Sequence, residues 1–209
     1  MIDFETTGLS PEGDRVIEVS VARFDPGALA PLLVFDSLVN PQQAVQATEV
    51  HGITDRMVKN APTFRELWPA LQDALSDCVV AAYNAYFDMR FLAAEAGRAK
   101  SQANVPFMCL KSVRTSIRVG KGCSLAEACR LHQIKFSNAH SSAGDAVAAA
   151  LLVPHYLNAM NGLGVHTFRD LMGRAKHRYT ESFVYHPFAA PSRACSHPLL
   201  PRTPSGSHR

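Results

Sequence analysis

The tripeptide Asp3-Phe4-Glu5 constrains this chain more than any other stretch. Alternation along an extended backbone sends its two acids to one face and its aromatic ring to the other. Phe4 then turns into a core while Asp3 and Glu5 lie side by side. Neighbouring carboxylates repel unless a cation sits between them, so the arrangement points to a divalent-metal site on a half-buried strand. The same tripeptide also fits a solvated strand edge, and the choice falls to the rest of the chain.

Arg15 to Phe24 alternates as a strand, Asp25-Pro26-Gly27 marks a turn, and Leu32 to Val39 reads as a second strand ended by Asn40-Pro41. With the Asp3 strand these predict an antiparallel meander. Helices are expected over about 63–76, 87–97, 110–119, 124–132 and 142–159, with one more at about 165–176. Short strands are expected at about 78–83 and 105–108 between them. Phe64, Leu67, Trp68, Leu71 and Leu75 form a stripe at helical spacing, so Trp68 reads as core rather than as a platform for a base. Strands first, then strands alternating with helices, indicate a layered α/β or α+β fold.

Two later segments add acids. The apolar run Cys78 to Tyr83 ends at Asn84, and Phe87, Phe91 and Ala94 then share one helical face. Asp88 is left near the helix start, at the C-terminal end of the strand. Much later, Asp145 opens the strongly helical run Ala146 to Leu152, and His140 precedes it by five residues. Five residues turn a helix through roughly 500°. The two side chains can therefore meet only if His140 lies on the preceding loop and Asp145 in the first turn. Plainer roles exist for both. Ser142-x-x-Asp145 has capping-box spacing, and His140 is one of nine histidines.

In order, Asp-Phe-Glu-Thr-Thr-Gly-Leu, Asn-Ala-x-Phe-Asp-x-x-Phe-Leu and His-x-x-x-x-Asp resemble the three motifs of the DnaQ-like, DEDDh-type 3′–5′ exonucleases. Proofreading epsilon subunits of bacterial replicative polymerases belong to that family. Val50-His51-Gly52-Ile53-Thr54, followed by Ala61-Pro62-Thr63-Phe64, resembles the family's segment between the first and second motifs. The resemblance implies a ribonuclease H-like α/β fold, a mixed five-stranded sheet flanked by helices. It implies a metal-dependent enzyme that hydrolyses phosphodiester bonds at the 3′ end of single-stranded DNA, releasing nucleoside monophosphates in proofreading or repair. By the same resemblance Asp3, Glu5, Asp88 and Asp145 hold two ions of Mg²⁺ or Mn²⁺, and His140 takes the proton from the attacking water. Hard cations prefer carboxylate oxygens, and histidine's ordinary pKa of about 6.5 suits a general base. Thr6 and His51 are implied substrate contacts, although Thr6 also serves to end the strand before Gly8 and His51 also serves to stabilise a loop.

The chain departs from the family pattern in places. Only Met1 and Ile2 precede Asp3, so the first strand is expected to be truncated, either because residues are missing upstream or because the strand is weak. Tyr83 stands where many relatives carry histidine, and Cys109-Leu110-Lys111 replaces a common Cys-x-Asp-Thr pattern.

With 209 residues and 47% hydrophobic content the chain can bury one sizeable core. An exonuclease domain is expected over residues 1–160, followed by a basic, Pro-rich and partly disordered C-terminal extension over residues 161–209. Five of the thirteen prolines fall between Pro187 and Pro204, and from Arg169 onward seven Lys/Arg stand against two Asp/Glu. Such a tail fits phosphate contacts and equally fits simple solubility. No run of eighteen apolar residues is present, the N-terminus shows no secretory pattern, and the five cysteines form no Cys-x-x-Cys pair. A cytoplasmic protein with reduced thiols is the expectation, with no membrane partner. The expected partners are the 3′ end of single-stranded DNA or RNA and a DNA polymerase subunit. The competing readings are an exoribonuclease of the same family, a catalytically weak nucleic-acid-binding polymerase-accessory module, and a small-molecule phosphodiesterase on this fold.

Overall fold

The computed structural model describes residues 1–25, 28, 30–103, 105, 107–135, 141–167 and 170–171. Strand β1 (Ile2–Thr6) shows the alternation its sequence demands: Ile2, Phe4 and Thr6 are buried, while Asp3 and Glu5 are half-buried. It pairs antiparallel with β2 (Val16–Arg23), which pairs antiparallel with β3 (Leu32–Leu38), giving the expected meander. The register sets Asp3 opposite Ser20 and Glu5 opposite Glu18. Pairing begins at Ile2, and the amino group of Met1 donates to the Ala22 carbonyl.

Two one-turn helices, α1 (Thr48–His51) and α2 (Asp55–Val58), follow the meander. Neither is long enough to show a helical period, so the sequence pattern passes over them. Next comes α3 (Phe64–Leu75), opened by a capping box between Thr63 and Glu66, with Phe64, Trp68, Leu71 and Leu75 buried as the stripe requires. Strand β4 (Val80–Ala82), helix α4 (Ala85–Arg98), strand β5 (Phe107–Cys109) and helices α5 (Leu110–Ser116), α6 (Leu125–Leu131) and α7 (Ser142–Gly162) complete the order.

Strands β4 and β5 run parallel, and β4 lies against β1. All five expected strands are present, but among the described residues their hydrogen bonds join them as three and two rather than as one continuous sheet. Strand β4 contributes only three residues, all of them paired with β5. All three are buried, as parallel strands covered on both faces usually are.

Helix α7 is apolar on nearly every side and accordingly sits inside the molecule. Ala146 and Ala150 pack on Ala22 of β2, and Ala148, Ala149, Leu152 and Tyr156 join the main core. Small side chains at the first contact let the helix approach the sheet closely. Val165 and Leu171 bury in the same core, so packing continues past the end of α7. Most of the helix expected at 165–176 and the rest of the C-terminal extension lie outside the described residues.

One buried ion pair ties the turn after β1 to α4. Glu95 is 1% exposed and accepts Arg15 Nε at 2.7 Å, Arg15 Nη2 at 3.0 Å and the Val16 N–H at 3.3 Å. Arg15 donates further to the Pro41 carbonyl at 3.0 Å. Arg98 Nη1 also reaches Glu95 Oε1 at 3.3 Å, so Glu95 is shared by two cations, and removing it leaves Arg15 without its counter-charge, which costs roughly 3–5 kcal/mol for a buried pair. Glu95→Ala is therefore expected to lower the unfolding free energy by about 3 kcal/mol in urea denaturation, and the double change Arg15→Met, Glu95→Leu to cost less.

Candidate functional site

Asp3 and Glu5 leave β1 on the side covered by α7, whose first turn carries Asp145. One carboxylate oxygen from each of Asp3, Glu5 and Asp145 lies within 4.8 Å of the other two. Asp88, in the first turn of α4, is buried, and its carboxylate accepts the backbone N–H of Phe4. That bond pins α4 to β1 at the residue between the two acids. Sequence and structure thus agree in bringing four carboxylates together from one strand and two helix starts.

The electrostatics are those of crowded anions. The charged groups acting on Asp3 are Asp88, Asp145, Glu5 and Glu18, all of them acids. Burial first, and then their repulsion, holds the Asp3 carboxyl well above the ordinary carboxylate range. Burial, Asp145 and Glu18 push Glu5 up to about 7. Burial also raises Asp88 to about 7, against the lowering effect of its bonds to backbone N–H groups. An oxygen-only donor set that repels itself fits a hard divalent cation.

The start of α7 differs from the capping-box alternative. Its cap is Ser141, whose hydroxyl accepts the Gly144 N–H at 3.1 Å, one residue earlier than that spacing requires. Ser142 instead bonds Ser20 Oγ through its own hydroxyl at 2.6 Å. Asp145 is consequently not the box partner of Ser142, and its carboxylate joins those of Asp3 and Glu5.

Glu18 is a member that sequence reasoning missed. It lies opposite Glu5, accepts the Ser142 N–H at 2.8 Å, and raises the pKa of both Asp3 and Glu5. The available signal is an acid inside the apolar run Val16-Ile17-Glu18-Val19, but its neighbours become apparent only with the strand register.

The flanking residues have well-defined partners. Thr6 is buried and its hydroxyl donates to the Gly8 carbonyl at 2.7 Å. Thr7 Oγ accepts the Arg15 N–H and Gln43 Nε2, each at 3.0 Å. A Cβ on Gly8 would meet the Asp14 carboxylate, which accepts the Ser10 N–H at 2.8 Å, so a larger residue there must displace the Asp14 side chain. His51 Nδ1 accepts the Ile53 N–H at 3.0 Å, which puts the ring proton on Nε2, 3.0 Å from the Gln46 carbonyl. Both ring nitrogens are engaged within its own loop. Tyr83 donates to the Cys123 and Ser124 carbonyls at 3.0 and 3.1 Å, anchoring the approach to α6. His140 lies outside the described residues.

Residues 1–153 match the model of the RNase_T exonuclease family, and the chain belongs to that family. Membership makes it a hydrolase of the nuclease class. DNA polymerase III subunit epsilon of Treponema pallidum is 36% identical over 102 residues, which are 48% of this chain and 46% of that protein. The chain spans less than half the length of the curated relatives it matches. Among solved structures, exonuclease X in complex with 5′ overhanging duplex DNA aligns with a TM-score of 0.60 at 22% identity, over 78% of this chain and 91% of that one. The nuclease domain of 3′hExo, a DEDDh family member bound to rAMP, aligns at 0.65 and 18% identity, over 75% and 90%. The fold is thus the ribonuclease H-like α/β architecture. No helix among the described residues is long and apolar enough to cross a membrane.

Without a cation, the folded protein holds protons on Glu5 and Asp88 up to about pH 7, whereas the unfolded chain releases them near the ordinary carboxylate values. The folded state binds the more protons, so stability falls as pH rises between those limits. Cation-free protein is expected to melt lower near pH 8 than near pH 5.5 through these groups. Cation competes with the same protons, so Mn²⁺ at roughly 100 times its Kd should raise Tm by about 5 °C or more near pH 8. Near pH 5.5 the rise should be much smaller. Scanning fluorimetry at both pH values checks this, and a cation shift independent of pH would count against the site.

Proposed function

We propose that this chain is a metal-dependent 3′–5′ exonuclease that removes nucleoside monophosphates from the 3′ end of single-stranded DNA, in proofreading or repair. The observation that carries the reading is the convergence of Asp3, Glu5 and Asp145, with Asp88 buried beside them, in a member of an exonuclease family. In this reading Asp3, Glu5, Asp88 and Asp145 hold Mg²⁺ or Mn²⁺, two ions per site. Bound there, the cations supply Lewis-acid stabilisation of the phosphoryl oxygens and a nucleophilic water. His140 would accept the proton of the attacking water, a role that suits an imidazole because the unperturbed histidine pKa is about 6.5. Thr6 meets the terminal nucleotide, and His51 contacts it by exchanging one of its loop bonds for the substrate. The exonuclease unit occupies residues 1–160. A DNA polymerase subunit is its partner in the cytoplasm, a reading supported by a relative that is itself named a DNA polymerase III subunit.

A second reading, exoribonuclease, is favoured by one observation: the 3′hExo neighbour holds a ribonucleotide, rAMP. The ribose 2′-hydroxyl is the group that separates the two. Purified chain with Mn²⁺ and 5′-labelled DNA and RNA single strands of one sequence tests both. Stepwise shortening of DNA from the 3′ end is expected. Asp88→Ala and Asp145→Ala should each reduce it by ~10³-fold or more, and His140→Ala by ~10²–10⁴-fold. Full activity in Asp145→Ala would refute the site, and shortening of RNA alone would select the second reading.

A further inference from the structure

The nuclease reading leaves a set of buried polar contacts on β2 without a role. Glu18, Ser20 and Ala22 stand two apart on that strand and so share a face, and each touches α7. The Ser142 N–H is one of the donors that the first turn of a helix leaves without an internal partner. Glu18 Oε2 accepts it at 2.8 Å. Ser20 donates its one hydroxyl proton to Asp36 Oδ1 at 2.7 Å. In the 2.6 Å contact with Ser142, Ser20 must therefore accept, and Ser142 donates. Ser20 and Ser142 are both fully buried.

We propose that Glu18 is a positioning residue: together with Ser20 it clasps the first turn of α7 to β2 and so sets Asp145 against Asp3 and Glu5. Asp145 follows Ser142 by three residues, hence on the neighbouring part of the same helix face. Fixing Ser142 by both its N–H and its hydroxyl fixes the rotation of α7 about its axis. Ala146 and Ala150 on Ala22 then fix how far the helix stands from the sheet. Glu18 sits directly opposite Glu5, a like-charge arrangement that is ordinarily destabilising. The bond to Ser142 supplies a reason for an acid there. The carboxylates that converge within 4.8 Å are those of Asp3, Glu5 and Asp145, so Glu18, beyond its repulsion of Asp3 and Glu5, bears on the cation site by holding α7.

The role of Asp145 in this inference rests on the nuclease reading, but its test does not depend on turnover. Full-length Glu18→Ala, Glu18→Gln and Ser20→Ala are compared with the unaltered protein in three measurements. These are amide exchange at residues 142–145 without cation, Mn²⁺ affinity by titration calorimetry, and kcat and KM on single-stranded DNA. Glu18→Ala is expected to speed exchange and weaken Mn²⁺ binding by about 10–100-fold, with kcat falling likewise and KM unchanged. Glu18→Gln keeps an oxygen that accepts the Ser142 N–H and should restore affinity to within roughly 3-fold. Ser20→Ala removes half of the clasp and no charge. It should weaken Mn²⁺ binding by about 3–10-fold, and it decides the matter if Glu18→Ala does not fold. Equal impairment of Glu18→Gln and Glu18→Ala would make Glu18 a charge-bearing ligand and overturn the proposal. Unaltered exchange and affinity in Glu18→Ala and Ser20→Ala would overturn it as well. An unaltered protein that binds Mn²⁺ yet shortens neither nucleic acid overturns the exonuclease reading alone, because exchange and calorimetry still judge the clasp.

Discussion

Mutual repulsion among carboxylates is the constraint around which this fold is arranged. Asp3, Glu5 and Asp145 approach within 4.8 Å, and Asp88 is buried close enough to raise the pKa of Asp3. Left to themselves, such groups separate into water or take up protons. Here separation is blocked by covalent and packing constraints. Asp3 and Glu5 cannot part because they are alternate residues of one strand whose other face is core. Asp88 is held by the backbone N–H of Phe4, and Asp145 rides on a helix buried along nearly its whole length. Protonation is the remaining relief: burial first, and repulsion after it, raises the pKa values of Asp3, Glu5 and Asp88.

The rest of the molecule resists the resulting outward pressure at two points. Arg15 and Glu95 join the turn after β1 to α4, tying the strand that bears two acids to the helix that bears the third. The contacts of Ser142 with Glu18 and Ser20 hold the helix bearing the fourth. Both anchors are polar and directional. Hydrophobic packing resists separation of elements but tolerates small rotations, whereas a hydrogen bond of 2.6 to 2.8 Å weakens quickly when a helix turns on its axis. Precise placement of these carboxylates therefore calls for polar contacts, even though apolar burial supplies most of the stability.

What the sequence disclosed and what it withheld divide along the same line. The alternation in β1, the stripe of α3 and the positions of Asp88 and Asp145 in first turns are local patterns, fixed by residues within a turn or two of one another. The role of Glu18 depends on pairing with Glu5 thirteen positions away and with Ser142 at a separation of 124, and neither register is written in the run around it. The cap of α7 shifted by one residue because two serines stand side by side and only packing against Ser20 decides between them. The one-turn helices α1 and α2 arise from turn geometry too short to have a period. His51 was legible as a residue of interest, but its engagement by Gln46 and Ile53 was not, since both bonds belong to the shape of the loop.

Helix ends complete the electrostatic argument. Asp88 and Asp145 each lie in the first turn of a helix, where the unpaired N–H groups carry partial positive charge equivalent to roughly half an elementary charge. Two such ends soften the repulsion among the acids without cancelling it. A lysine or arginine among the four would cancel more and also fill the space between them. Partial dipoles leave both the charge deficit and the room for a divalent cation. They act from the backbone, so side-chain motion does not displace them. An acidic quartet met by helix starts is thus held together by the backbone and still short of positive charge, the state in which oxygen ligands favour a hard cation.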